Sequence, residues 1–79
     1  MPTILRIGPY RFLFYASDGD EPAHVHVRRD DCMAKFWIRS VRLAVNIGFP
    51  AKELRAIQKM VEENQAEIEG SWNEFFDRR

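Results

Sequence analysis

The spacing of apolar residues changes once along this chain, at Pro50, and this change constrains the fold most. Before Pro50, apolar and polar side chains alternate with a period of two, which is typical of strands buried on one face. After it, Leu54, Ile57 and Val61 begin a helical spacing that continues to Phe75. The sequence therefore predicts an α+β fold, an antiparallel sheet of four or five strands with one face covered by a long carboxy-terminal helix.

The length of 79 residues supports a single domain spanning 1–79, with strands within 3–47 and a helical region within 50–77. The strand segments that fit the alternation are residues 4–7, 10–16, 24–29, 32–39 and 41–47. Turn residues separate the first pair of strands and the second pair, which predicts two hairpins. The acidic stretch 17–22 is expected to be a solvent-exposed loop.

The sequence leaves two possibilities for the end of the predicted helix, a break or a continuous helix. A helix over 50–77 would be about 40 Å long, which exceeds the expected width of so small a domain. Ser71 and Glu74 have the spacing of a capping box, which favours a break near Gly70. The alternative is an uninterrupted helix that tolerates one glycine at a cost of about 1 kcal/mol.

Charge, cysteine content and the lengths of apolar runs narrow the class of protein. Twelve basic and twelve acidic residues give no whole-chain signal for binding nucleic acid or a membrane. Residues 1–49 carry seven basic and five acidic side chains, and residues 50–77 carry three basic and seven acidic ones. Cys32 is the one cysteine, so an internal disulfide is excluded. With no apolar run of about 18 residues, we expect a cytoplasmic protein without a membrane partner.

The two histidines of the chain lie two residues apart in the segment EPAHVHVRR, residues 21–29. The valines that alternate with them are expected to face the core, which places His24 and His26 together on the other face, accessible to solvent. A two-residue turn at the second hairpin sets His24 opposite Trp37 and His26 opposite Lys35. The opposite face of the sheet is therefore expected to carry both imidazoles.

A histidine pair at this spacing suits acid–base chemistry on RNA. Alternate residues of a strand are about 6.5 Å apart, so two imidazoles can contact opposite sides of one reacting group. With pKa values near 6.5, one can be neutral while the other is protonated. His24 and His26 are the predicted catalytic residues, because removal of a 2′-hydroxyl proton and protonation of a leaving oxygen need such a pair. The predicted substrate-binding residues of the same face are Arg28, Lys35, Trp37 and Arg39.

Two other interpretations of the histidines remain open. Histidines in a strand are most often polar residues of a solvated face. The H-x-H pattern is also half of a metal site, but zinc usually needs a third and a fourth ligand. The candidates have no diagnostic spacing, so we predict no metal and no cofactor; they are Asp18, Asp20, Glu21 and Cys32.

Three segments together resemble a known family. They are MPTILRIGPYRFLFY, EPAHVHV with AKFWI, and a helix that begins at GFPAKEL and ends at SWNEFF. The chain is similar to the small bacterial family catalogued as domain of unknown function 4160, from Met1 to about Phe76. The HVHV strand and the terminal WNEFF are the most specific parts. Where the family usually has a second proline before the first histidine, this chain has Ala23.

The resemblance implies the dihistidine toxin of a type II toxin–antitoxin module, which suppresses translation through His24 and His26. It implies an antitoxin partner encoded beside it, a target in RNA or the translation machinery, and a role for the terminal segment with Trp72, Asn73 and Phe76. A metal-independent ribonuclease is one activity that fits. Two rivals stay open, a non-catalytic module that binds nucleic acid or protein through the cationic sheet face, and a metal-dependent hydrolase. Homodimer formation is also left open.

The terminal aromatic residues must either dock on the domain or stay exposed for a partner, because chain ends fray unless they are held. We expect docking, with Trp72 extending the apolar stripe of the helix onto Phe12, Phe14 or Phe36. The alternative places the segment at a self-association surface or at the rim of the active face.

Overall fold

A computed structural model describes residues 3–76 and confirms the α+β fold. Five strands form one antiparallel sheet in sequence order, so each strand pairs with its neighbours in the chain. The strands are β1 (Thr3–Ile7), β2 (Tyr10–Leu13), β3 (His24–Arg29), β4 (Cys32–Trp37) and β5 (Arg42–Ile47). A short 3₁₀ segment, Ala16–Asp20, lies in the long connection between β2 and β3.

The second hairpin has the predicted register. Val25 lies opposite Phe36, and Val27 lies opposite Ala34. These four side chains are buried on the face of the sheet that the helices cover, as the alternation requires. The other buried members of this core are Phe12, Phe14, Ile38, Val41, Phe49, Ile57, Val61, Ile68 and Trp72.

The helical region consists of two helices, α1 (Ala51–Glu63) and α2 (Gln65–Phe76), and the break lies at Asn64. The prediction of a break near Gly70 was therefore wrong, as was the uninterrupted alternative. Gly70 lies within α2 and has open space beside it. Neither helix of the described region is long and apolar enough to span a membrane.

Two amide side chains make hydrogen bonds at the break. The Asn64 side chain donates to the Met60 carbonyl at 2.8 Å and shares that oxygen with the Asn64 backbone amide at 3.1 Å, at the residue where the backbone leaves the helix with φ −113° and ψ 18°. Gln65 donates to the Ile38 carbonyl at 2.8 Å, which ties the start of α2 to the end of the sheet. The two polar residues that interrupt the apolar stripe thus end one helix and position the next.

The terminal helix docks on the domain, as predicted. Trp72 is only 8 % exposed and meets the Phe14 ring edge-on, with ring centroids 5.2 Å apart. Phe76 packs on Trp72 at 4.2 Å and also reaches Gly19 of the 3₁₀ segment. Phe75 is 39 % exposed and lies on the solvent side of these aromatic rings. The end of α2 consequently holds the connection between β2 and β3 in place.

The fifth strand is confirmed, but its large apolar side chains lie outside the core. Lys35 pairs with Val45, and Met33 pairs with Ile47, so these residues of β5 face away from the helices. Leu43, Val45 and Ile47 are exposed. β5 is thus an edge strand with an apolar outer face.

Candidate functional site

The register of β3 and β4 places both histidines on the sheet face opposite the helices. His24 lies opposite Trp37, and His26 lies opposite Lys35, as predicted from the two-residue turn. The two imidazole centroids are 5.1 Å apart with their planes nearly perpendicular. The sequence therefore brings the pair together on one face, close enough for both to contact one small group.

The expectation that the histidines are accessible to solvent was wrong. His24 is fully buried and His26 is 8 % exposed. The connection between β2 and β3 folds back over this face, and its 3₁₀ segment turns the Asp18 side chain inward. The stretch 17–22, expected to be a solvent-exposed loop, thus covers the histidines.

Asp18 lies between the two imidazoles. Its Oδ1 is 3.2 Å from Nε2 of His24, and its Oδ2 is 3.2 Å from Nε2 of His26. His24 Nδ1 lies 2.9 Å from the carbonyl oxygen of Pro22. Because a carbonyl only accepts, Nδ1 must carry a proton and donate it, which leaves Nε2 to face the carboxylate. We refer to Asp18, His24 and His26 as the His–Asp cluster.

The surroundings of the His–Asp cluster shift the pKa values of two of its members. Burial alone would raise the pKa of Asp18, but the Tyr15 amide, which donates to Oδ2 at 2.8 Å, and the two imidazoles lower it overall. Burial lowers the pKa of His26, although the Asp18 carboxylate opposes this effect. The cluster therefore favours an ionised carboxylate beside a neutral His26 imidazole.

A groove of about 360 Å³ opens beside the cluster. It brings together four residues that the sequence singled out on separate grounds: Trp37, Arg39, Trp72 and Asn73. Pro22, Ala23 and Ser40 complete its lining. The His24 ring adjoins both indoles, with centroids 5.8 Å from Trp37 and 5.2 Å from Trp72. The groove thus has one aromatic wall from the sheet and another from α2, and we call it the indole groove.

Two predicted substrate-binding cations already have carboxylate partners. Lys35 Nζ contacts Glu21 Oε1 at 2.5 Å and lies 4.9 Å from the Trp37 ring centroid. The hydrogen bond from Lys35 lowers the pKa of Glu21. Arg39 lies on the surface, 3.3 Å from a carboxylate oxygen of Glu69. Both side chains lie beside the indole groove, but each forms an ion pair with a carboxylate.

A row of three arginines crosses the same face further from the groove. Arg6 lies opposite Arg11, and Arg11 lies opposite Arg28, so one arginine comes from each of β1, β2 and β3. A cavity of about 430 Å³ lies among them, with Arg29 and Asp30 at its edge. Arg28 donates to the Tyr15 hydroxyl at 3.0 Å. Within residues 3–76 no carboxylate lies at ion-pair distance from these three side chains, which we call the arginine row.

Sequence reasoning missed the role of Asp18 and did not include Arg6. Asp18 was one of several acidic residues considered as metal ligands, and its spacing did not distinguish it. The one signal available was length: ten residues, 14–23, between adjacent antiparallel strands are more than a hairpin turn needs, so the connection has room to fold over a face of the sheet. Cross-strand pairing of the first hairpin would have placed Arg6 beside Arg11.

Fold and site together define a small α+β protein whose sheet carries a covered histidine pair beside an aromatic groove. A sequence profile of the family named Domain of unknown function (DUF4160) matches residues 10–73. This match covers most of the chain, and the protein belongs to that family. No curated protein and no solved structure matches the chain.

Proposed function

We propose that this protein is the toxin component of a toxin–antitoxin module and suppresses translation by acting on RNA. The proposal rests on the resemblance described above and on one structural observation, the position of the indole groove beside the His–Asp cluster. A single unpaired base placed between Trp37 and Trp72 would bring its sugar and phosphate close to His24. The groove would therefore hold the substrate, and the cluster would be the working centre.

The composition of the indole groove suits an unpaired nucleotide. Aromatic side chains bind bases by stacking, which is worth roughly 1–3 kcal/mol per base. Asn73 and Ser40 offer hydrogen-bonding groups for a base edge, and Arg39 offers a charge at the surface for a phosphate. Sequence-specific recognition of RNA usually targets such unstacked bases. Single-stranded RNA is thus the substrate class that this groove would accept.

The arginine row would hold the phosphate backbone of the same strand. Like charges directly opposite each other on paired strands destabilise a sheet. Arg6, Arg11 and Arg28 form two such pairs in succession. An anionic ligand that lies across the three strands would offset this repulsion. The row lies on the same face as the histidines, since Arg28 follows His26 by two residues along β3.

The cognate antitoxin would be a protein with an acidic surface for this face. Covering the indole groove or the arginine row would keep RNA away from the cluster. Electrostatic attraction of this kind mainly raises the association rate, and salt weakens it. Reversing charge at Arg28 and Lys35 together should therefore slow association most at low salt.

The burial of the histidines favours a second candidate function. His24 Nε2 is covered by Asp18, so a phosphodiester reaches it only if the 3₁₀ segment moves. A non-catalytic module that occupies RNA through the indole groove and the arginine row would not require such movement. In that case the histidines would shape the groove and would not react.

The two candidates are separated by expression in growing bacteria of the wild type, His26→Ala and Trp37→Ala. Growth and incorporation of labelled amino acids are measured with and without the neighbouring gene. We expect the wild type to stop incorporation, both variants to lose this effect while folded by circular dichroism, and the neighbouring gene to restore growth. Lys59→Ala, an exposed change on α1, is the control. A folded and fully active His26→Ala with an inactive Trp37→Ala would favour the binding module, and an inert wild type would refute both.

A further inference from the structure

The His–Asp cluster has the composition of a metal site. Asp18, His24 and His26 each direct one ligand atom to a common region, and these atoms lie within 4.8 Å of one another. The ligands come from the 3₁₀ segment and from β3, two elements that the fold alone brings together. A third ligand, which the spacing along the sequence did not reveal, is therefore present beside the histidine pair.

The second observation is a set of buried nitrogens without hydrogen bonds. Among the described residues, His24 Nε2 and both ring nitrogens of His26 are buried and lack a hydrogen-bond partner. The contacts with Asp18 are 3.2 Å long, yet neither imidazole gains a hydrogen-bond partner from them. His24 donates through Nδ1, so a neutral ring has only a lone pair at Nε2 to face the carboxylate. Leaving buried polar atoms unpaired costs about 1–3 kcal/mol each, so such atoms call for an explanation. An ion bound between the three side chains would accept the lone pairs of both Nε2 atoms.

The distances agree with this explanation. Nitrogen and oxygen ligands lie about 2.0–2.2 Å from zinc, so neighbouring ligands of a tetrahedral ion are about 3.3 Å apart. Asp18 is 3.2 Å from each of the two imidazoles by its nearest oxygens. The two contacts use different oxygens, so the distance from the ligating oxygen to the other imidazole and the distance between the two nitrogens, each at most 4.8 Å, have to shorten. Small rotations of the His26 ring and of the Asp18 carboxylate would have to supply this change.

Two of the three proposed ligands make supporting hydrogen bonds of the kind that is usual in metal sites. A ligating histidine usually donates its other ring nitrogen to a carbonyl or carboxylate, which fixes the ring and its tautomer. His24 Nδ1 does this with the Pro22 carbonyl at 2.9 Å. The Tyr15 amide fixes Asp18 in the same way, by donating to Oδ2 at 2.8 Å. Two of the three ligands are thus oriented before any ion arrives.

We propose that Asp18, His24 and His26 bind one divalent transition-metal ion, and zinc, which two histidines and one carboxylate hold in known catalytic sites, is the ion chosen for the test. Three protein ligands leave a fourth position open, as in sites where zinc holds water or substrate. The proposal concerns the same side chains as the proposed function, but it rests on their geometry alone. It replaces the sequence-based prediction that no metal is required, which depended on the lack of a convincing third ligand.

The test is metal binding by the purified full-length protein, with no assay of translation. Zinc is titrated by calorimetry, and Co²⁺ serves as a spectroscopic probe. We expect one equivalent of zinc to bind with a Kd below about 10 μM, and one equivalent of Co²⁺ to give visible ligand-field bands that zinc abolishes. Absence of zinc binding in this range would overturn the proposal, whatever the protein does to translation.

Matched variants assign the site. Asp18→Asn and His26→Ala should lose the cobalt bands, whereas Asp20→Asn, in the same 3₁₀ segment, and Cys32→Ser should keep them. Retention of binding by Asp18→Asn, or its loss in Cys32→Ser, would refute the assignment. If Asp18→Asn does not fold, nitrogen NMR of the wild type decides, because the chain has only two histidines. Zinc should shift the Nε2 resonances of both, and unchanged resonances would contradict the proposal.

Discussion

Replacing Trp72 with alanine should nearly unfold the protein. The indole is 8 % exposed and packs on Phe14 at 5.2 Å and on Phe76 at 4.2 Å. Removing a large buried aromatic costs about 3–5 kcal/mol, counting the transfer of its surface and the cavity left behind. Small domains are stable by only about 5 kcal/mol or somewhat more. One kcal/mol shifts the thermal midpoint of a domain of this size by about 4–8 °C, so we expect a fall of at least about 12 °C.

The assay is urea and thermal unfolding followed by far-UV circular dichroism, with Phe75→Ala as the matched control. Phe75 belongs to the same turn of α2 but is 39 % exposed, so its removal should cost only about 1–2 kcal/mol. A Trp72→Ala variant that loses less than about 4 °C, or no more than Phe75→Ala loses, would show that α2 is not docked as described. It would also remove the second aromatic wall of the indole groove.

Three further results are expected. Glu53 accepts hydrogen bonds from Arg29 at 2.6 and 2.9 Å, which lower the pKa of Glu53, so its contribution to stability is present at neutral pH and is lost as pH falls through the lowered pKa. The difference in the free energy of unfolding between wild type and Glu53→Gln, measured in urea, should therefore shrink in acid. A difference that stays constant with pH would contradict this. Gly70→Ala should raise the free energy of unfolding by about 1 kcal/mol, because Gly70 is helical and an added methyl group would have no neighbour within contact distance. A loss of stability would indicate that the helix bends at Gly70 after all. Arg11→Gln should weaken binding of single-stranded RNA and reduce the slope of log affinity against log salt by about 1, whereas Arg55→Gln on α1 should change neither.

Local patterns in the sequence predicted most of the sheet. The alternation of histidine with valine gave the correct faces, and the two-residue turn at Asp30 gave the correct register between β3 and β4. Asp30 has a positive φ of 54°, which aspartate tolerates better than most residues. The docking of Trp72 also followed from helical spacing. These features depend on neighbours in the sequence or on a single strand pairing, which is why they could be predicted.

Features that depend on long connections could not be predicted in this way. Whether Asp18 faces solvent or the histidines depends on how residues 14–23 cross the sheet, and the packing of Phe76 on Gly19 helps to decide that. The break at Asn64 depends on a bond from Gln65 to Ile38, which lies 27 residues earlier. Capping-box spacing at Ser71 was a weaker determinant than these tertiary contacts.

Action on RNA in translation is tested most directly in a cell-free bacterial translation reaction supplied with the purified protein. The rate of protein synthesis is measured, and the RNA is then recovered and its ends and masses are compared with those of an untreated reaction. We expect the wild type to stop synthesis and leave one class of RNA altered, whereas folded His26→Ala and Trp37→Ala should leave both synthesis and RNA unchanged. Normal synthesis in the presence of folded wild-type protein, at concentrations well above those of the ribosomes, would contradict this expectation.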